Sequence, residues 1–165
     1  LGAKKGEVIL QPVNEYDEQK IKIKEFIPQL PFKVKIVKGT KFYDVAYFND
    51  PFNFAISENL KNVLVENEIS GWDCYPLEIE GTDKKYYGFT VTGRCGPIKK
   101  PSTKGWVKGY EFDLDSWDKS DFFRPDETLH VFFNEKVKLI IEKEKITNFG
   151  IVNIADYEWY NLGKN

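Results

Sequence analysis

Apolar residues fall at helical spacing in two stretches of this chain and alternate with polar ones through much of the rest. Leu60, Val63, Leu64 and Ile69 define one helical face. Ser57 precedes it, with a side-chain oxygen suited to the first free amides, and Gly71 follows as a left-handed stop. Val137, Ile140, Ile141 and Ile146 define a second face behind Asn134 as its cap. Phe32, Val34 and Ile36 alternate with Lys33 and Lys35, the signature of a half-buried strand whose lysine side faces water and guards an edge. Residues 7–13, 43–48, 72–79, 85–92, 106–114, 128–133 and 149–154 read as further strands. Gly81-Thr82-Asp83 turns 72–79 into 85–92 as a hairpin. Ile21, Ile23 and Phe26, broken by Pro28 and Pro31, read as extended chain, and 98–105 as a loop. The expectation is a single α+β domain over 1–165, a mostly antiparallel sheet with two helices on one face.

The two helical stretches are related. Residues 56–77 align without a gap to 133–154, an offset of 77 residues. Glu58 matches Glu135, Lys61 matches Lys138 and Ile69 matches Ile146; Ser70 faces Thr147 and Trp72 faces Phe149. This predicts a duplicated helix–strand unit, with chance similarity of two amphipathic helices as the competing reading. Two copies are too few for a solenoid, which needs about three.

Aromatics make up 16% of residues, with thirteen Phe, nine Tyr and four Trp. That suits a sheet-rich core, and also a recognition surface. The net charge of −2 offers no basic face for nucleic acid. Apolar runs are too short to span a membrane. No signal peptide is visible at Leu1. The absence of any Met leaves a trimmed N-terminus, and with it a removed signal sequence, open. Cys74 and Cys95 form no disulfide framework and no metal-ligand pattern, which favours two reduced thiols in a cytoplasmic protein, although a bridge between neighbouring strands is geometrically conceivable.

Catalytic signals are sparse. His130 is the only histidine, and no nucleophile motif accompanies it. Alternation puts it on one strand face with Phe132, opposite Leu129, Val131 and Phe133. No phosphate-binding glycine motif occurs, and no metal or cofactor is expected. Paired carboxylates such as Asp113 and Asp115 are ordinary in an acidic strand. The most distinctive charge feature is 111–127, in which Glu111, Asp113, Asp115, Asp118, Asp121, Asp126 and Glu127 are interleaved with Phe112, Trp117, Phe122 and Phe123. Either the acids are solvated and the aromatics tucked into the core, or the segment docks a basic partner by steering and aromatic anchoring. The second reading names Glu111, Asp113, Asp115, Trp117, Asp118 and Asp121 as partner-binding residues.

The helix unit carries a resemblance. Ile56-Ser57-Glu58-Asn59-Leu60-Lys61-Asn62-Val63-Leu64, ending Ile69-Ser70-Gly71-Trp72, and Phe133-Asn134-Glu135-Lys136-Val137-Lys138, ending Ile146-Thr147-Asn148-Phe149, are similar to the cap, helix and Thr-Gly-aromatic pattern of the immunity-protein-eleven family of bacterial polymorphic-toxin systems. Asp121-Phe122-Phe123-Arg124 resembles that family's segment before its last unit. The likeness covers about 45–157, and Asn148 stands where Gly is usual. It implies a non-catalytic cytoplasmic protein that binds and neutralises a cognate toxin. The alternatives are a carbohydrate- or peptide-binding module with exposed aromatics, and an enzyme whose cleft gathers His130 with carboxylates.

Overall fold

The computed structural model describes residues 4–163. The reading at Leu1 lies outside them. Ten strands run in chain order: β1 (Ile9–Pro12), β2 (Phe32–Lys38), β3 (Val45–Phe48), β4 (Phe54–Ser57), β5 (Trp72–Ile79), β6 (Tyr86–Val91), β7 (Gly105–Lys108), β8 (Phe122–Phe123), β9 (Phe132–Phe133) and β10 (Glu158–Asn161). The helices are α1 (Glu18–Lys22), α2 (Glu58–Glu66) and α3 (Glu135–Lys143). Six strands close into a barrel in the order β1-β2-β5-β6-β4-β3, while β7 pairs with β10 and β8 with β9. The chain is therefore α+β, but the expected single sheet with two helices becomes a closed barrel and two small ribbons with three helices among the described residues, and its pairings are mixed. Within the barrel β1 runs parallel to β3, and β2 parallel to β5. Closure removes the edge that Lys33 and Lys35 were expected to guard; Lys33 instead reaches Glu78 at 3.7 Å.

Alternation explains the two cores. Leu10, Val34, Ala46, Phe48, Ala55 and Tyr75 fill the barrel. Tyr75 lies so close to Gly88 that a Cβ there would sit 2.0 Å from its ring. Ile21 of α1 also joins this core. The expected extended segment becomes α1 because the Asp17 carboxylate accepts hydrogen bonds from the Gln19 and Lys20 amides, a cap that outweighs the partial alternation. The opposite faces of β3, β4 and β6 carry Val45, Ile56 and Phe89, which pack under Leu60 and Leu64 of α2 and Val137 and Ile141 of α3. Each such burial contributes roughly 1.5–3 kcal/mol. Phe89 stacks on Phe54 at 4.8 Å and on Trp72 at 5.8 Å, with Phe122 edge-on at 5.2 Å. Phe89→Ala should cost about 3–5 kcal/mol in a urea melt.

The repeat is real in its first part and displaced. Ser57 and Asn134 cap α2 and α3, each of nine residues, through side-chain oxygens. Left-handed residues then recur 77 apart, Glu68 with Lys145 and Gly71 with Asn148. Glu68 and Lys145, not Gly71 and Asn148, come first after the helices. The preceding hairpins match too: Val45 faces Ile56 as Phe122 faces Phe133. The expected second strand at 149–154 does not form. Beyond Phe149 the chain is irregular up to a 3-10 turn, Ile154–Asp156, and no counterpart of β5 joins the β8–β9 ribbon. The duplicated element is therefore hairpin, helix and turn, about 44–72 and 121–149, in place of helix and strand.

The two copies exchange a carboxylate reciprocally. Asp44 accepts from Thr147 N at 2.9 Å and Thr147 Oγ1 at 2.7 Å, and from the Ser57 hydroxyl of its own copy at 2.8 Å. Asp121 accepts from Ser70 N at 2.9 Å and Ser70 Oγ at 3.0 Å, and from Asn134 Nδ2 of its own copy at 2.8 Å. Backbone bonds repeat the exchange, Val45 N to Thr147 O and Phe122 N to Ser70 O. Reciprocity of this kind is what a twofold relation between two like units produces.

Candidate functional site

The acidic segment leaves β7 and crosses to β8. Lys99 N bonds Glu111 O at 2.6 Å, and Phe112 bridges to Ile98. The expected long strand at 106–114 stops at Lys108, and Asp113 with Asp115 lie on a 3-10 turn, Leu114–Ser116, which Asp113 caps by accepting Asp115 N. Trp117 is half-buried. Its indole packs on Phe123 at 5.1 Å, donates to Ser120 O at 3.2 Å, and has Lys119 Nζ 5.1 Å from its ring centre. Phe122 and Phe123 belong to the core.

The seven carboxylates separate into three groups. Asp121 is only 7% exposed and spends its oxygens on Ser70, Asn134 and Lys136, so its expected role as an accessible binding residue is corrected. Burial alone would raise its pKa, but these hydrogen bonds and the Lys136 charge outweigh it and hold the carboxyl below the usual range. Asp118 is exposed but engaged, accepting Arg94 N and closing the turn at Ser120, and Asp126 and Glu127 reach Arg94 and Lys100 at 3.8 and 3.6 Å. Glu111, Asp113 and Asp115 are exposed and form no ion pair among the described residues. Leu114, 62% exposed, lies between the last two.

A second exposed feature was not singled out from sequence. On the β7–β10 ribbon Trp106 pairs with Tyr160, rings edge-on at 5.5 Å, with Trp106 75% exposed. The other face carries Trp159, which stacks on Tyr110 at 5.2 Å. Period-2 alternation in Trp106-Val107-Lys108 and Glu158-Trp159-Tyr160 carried the signal; the pairing of two segments fifty residues apart did not show in it.

The strand expected at 128–133 is limited to β9; His130 and Phe132 both pack on Tyr110, but His130 also lines one cavity with Leu129, Val131 and Phe133, from which alternation would separate it. The imidazole hydrogen-bonds Tyr110 Oη at 3.0 Å through Nδ1 and Tyr157 Oη at 3.4 Å through Nε2, one ring nitrogen donating and the other accepting. Part of it stays in water, yet the surrounding rings desolvate the cation and lower its pKa. Its ring hydrogen bonds thus run to phenols, without a Ser, Cys or carboxylate among them. Cys74 and Cys95 are free thiols, and burial raises both pKa values, that of Cys95 to about 11.

One cavity of about 200 Å³ lies beside this histidine, walled by Val45, Tyr47, Phe54, Val131, Phe133 and Phe149. Lys22 and Asn53 also line it, at 1% and 2% exposure. Lys22 Nζ and Asn53 Oδ1 have no hydrogen-bond partner. Desolvation lowers the Lys22 pKa to about 7 against a smaller opposing pull from Asp50. A base depressed in the folded state favours unfolding while the unfolded chain binds the extra proton, so wild-type stability rises from about pH 7 towards pH 10.5. Lys22→Met should therefore stabilise the chain by roughly 1–3 kcal/mol at pH 7, with a gain that shrinks in urea melts as pH rises through that window.

No protein-family model matches the chain, and no curated protein matches it. Among the described residues no helix is long and apolar enough to cross a membrane.

Proposed function

We propose that this chain is an immunity protein that binds and neutralises a cognate bacterial toxin in the cytoplasm, without catalysis, and that Glu111, Asp113, Asp115 and Trp117 meet the toxin. The observation that carries this is the exposed turn at 113–116, where carboxylates without ion pairs surround Leu114 beside a Trp117 fixed by Phe123 and Ser120. Three carboxylates outnumber Lys119, whose amine reaches Leu114 O at 3.2 Å, so net negative charge steers a basic partner, and a preordered aromatic anchors it at low entropic cost. The resemblance of the helix units to the immunity-protein-eleven family supports the same reading.

The test is co-expression with the products of the neighbouring genes, followed by association kinetics with whichever product is toxic on its own. Glu111→Lys, Asp113→Lys and Asp115→Lys together should slow association by about ten- to a hundredfold at low salt, with the loss shrinking as salt rises. Growth rescue by the triple variant equal to wild type, with unchanged kinetics, would reject the surface. A second reading, a carbohydrate- or peptide-binding module, is favoured by the Trp106–Tyr160 pair. It requires that Trp106→Ala abolish binding of the ligand while the triple reversal leaves it intact.

A further inference from the structure

We infer that the cavity beneath His130 is a binding site for a small apolar carboxylate, whose anionic head pairs with Lys22 and whose body packs on Phe54, Phe133 and Phe149. The cavity has the wrong polar inventory for an inert void. Lys22 brings three donors and uses none of them, and Asn53 Oδ1 is a buried acceptor with no donor. The Asn53 side chain is held in place by its amide nitrogen, which donates to Glu18 O at 2.9 Å and to the Asp50 carboxylate at 3.2 Å. Natural interiors satisfy such groups, with protein, water or a ligand.

Among the described residues no carboxylate forms an ion pair with Lys22. Asp50, the carboxylate whose charge reaches it, accepts from Tyr16, from the Phe52 and Asn53 amides at 2.7 Å, and from the Asn53 side chain. Tyr47 and His130, the other titratable groups on the wall, supply no negative charge at neutral pH. The nearest groups to the amine are aromatic faces, Phe54 at 4.0 Å and Phe89 at 5.6 Å from their centres. These attract a cation but accept no full hydrogen bond. An incoming carboxylate supplies the missing counter-charge, and its hydrocarbon part suits the apolar remainder of the walls. Apolar cavities of about 150 Å³ hold benzene, so about 200 Å³ accommodates a single ring or a branched chain with its carboxylate.

The probe is benzoate, with benzylamine and benzyl alcohol as controls, measured by calorimetry on the intact chain. Saturable benzoate binding is expected, weakened about tenfold or more in Lys22→Met, with benzylamine not binding. At about pH 8 the amine is largely neutral, so binding should take up nearly one proton per benzoate, read from the difference between two buffers of unlike ionisation heat. That readout needs only the wild type and stands even if a variant misfolds. No binding up to about 10 mM, as when an ordered water alone bridges Lys22 and Asn53, overturns the site. Binding undiminished in Lys22→Met, no proton uptake, or equal affinity for benzylamine overturns it as well. None of these results depends on the toxin-binding surface at 111–117.

Discussion

Asp121→Ala is expected to destabilise the chain by about 3–5 kcal/mol, the range for breaking a buried charged network by removing one partner. The total stability of a domain is commonly 5–15 kcal/mol, so this single change takes a large share of it. The carboxylate is the knot between the two copies. Without it Ser70 N, Ser70 Oγ, Asn134 Nδ2 and Lys136 Nζ lose an acceptor together. Asp44 occupies the equivalent place with an equivalent set of donors, yet it is only half-buried. Water can replace part of what Asp44→Ala removes, so about 2 kcal/mol is expected there. Equal losses at the two positions in urea melts would count against burial as the deciding difference.

The same pair sets an acid limit. Both carboxyls are raised by partial burial, but more strongly lowered by the hydrogen bonds they accept. A depressed folded pKa contributes stability above the unfolded value, near 3.9, and loses it as pH falls through the folded one. The cost of Asp121→Ala should therefore be full at pH 6 and diminish below about pH 4. A charge reversal that includes Asp121 would report unfolding, so the reversal belongs at Glu111, Asp113 and Asp115.

Local chemistry was legible where one residue's neighbours decide its state. Ser57 and Asn134 capped their helices, and β5 ran from Trp72 to Ile79, as the pattern predicts. Partnership across the chain was not legible. The parallel contacts β1–β3 and β2–β5, which close the barrel, leave no mark on alternation, since either pairing buries the same face. The strand expected at 149–154 had a suitable composition but pairs with no other strand. Charge counting over 111–127 also misjudged Asp121, because the donors that neutralise it, Ser70 and Asn134, lie in the two repeats. The duplication itself was visible, but its start at Asp44 and Asp121 was hidden. The hairpins that begin each copy share strand register more than they share residues.

The second large effect is expected at Gly71, where the two copies part company. Its backbone is left-handed, with φ at +81°, and a Cβ would lie 1.9 Å from the Phe122 carbonyl oxygen. The same oxygen is also approached by Gly93, where a Cβ would stand 2.1 Å away with no unusual φ. In the second copy Asn148 takes the place of Gly71 at φ +62°, and the carbonyl equivalent to that of Phe122 is Val45 O. There the turn stands far enough off for the Asn148 amide to enter and donate to Val45 O at 2.9 Å, with its other hydrogen on the buried Glu7 carboxylate. Asn tolerates the left-handed region, so Gly71→Asn isolates the steric term from the dihedral one. It should still cost about 3 kcal/mol or more, since the atom it meets is backbone and cannot rotate aside. Gly93→Ala should cost a similar amount through contact alone. If Gly71→Asn melts within about 0.5 kcal/mol of wild type, the range for a neutral surface change, then the first turn can open as the second does, and the close approach of Gly71 and Gly93 to Phe122 is not what holds the β8–β9 hairpin against the barrel.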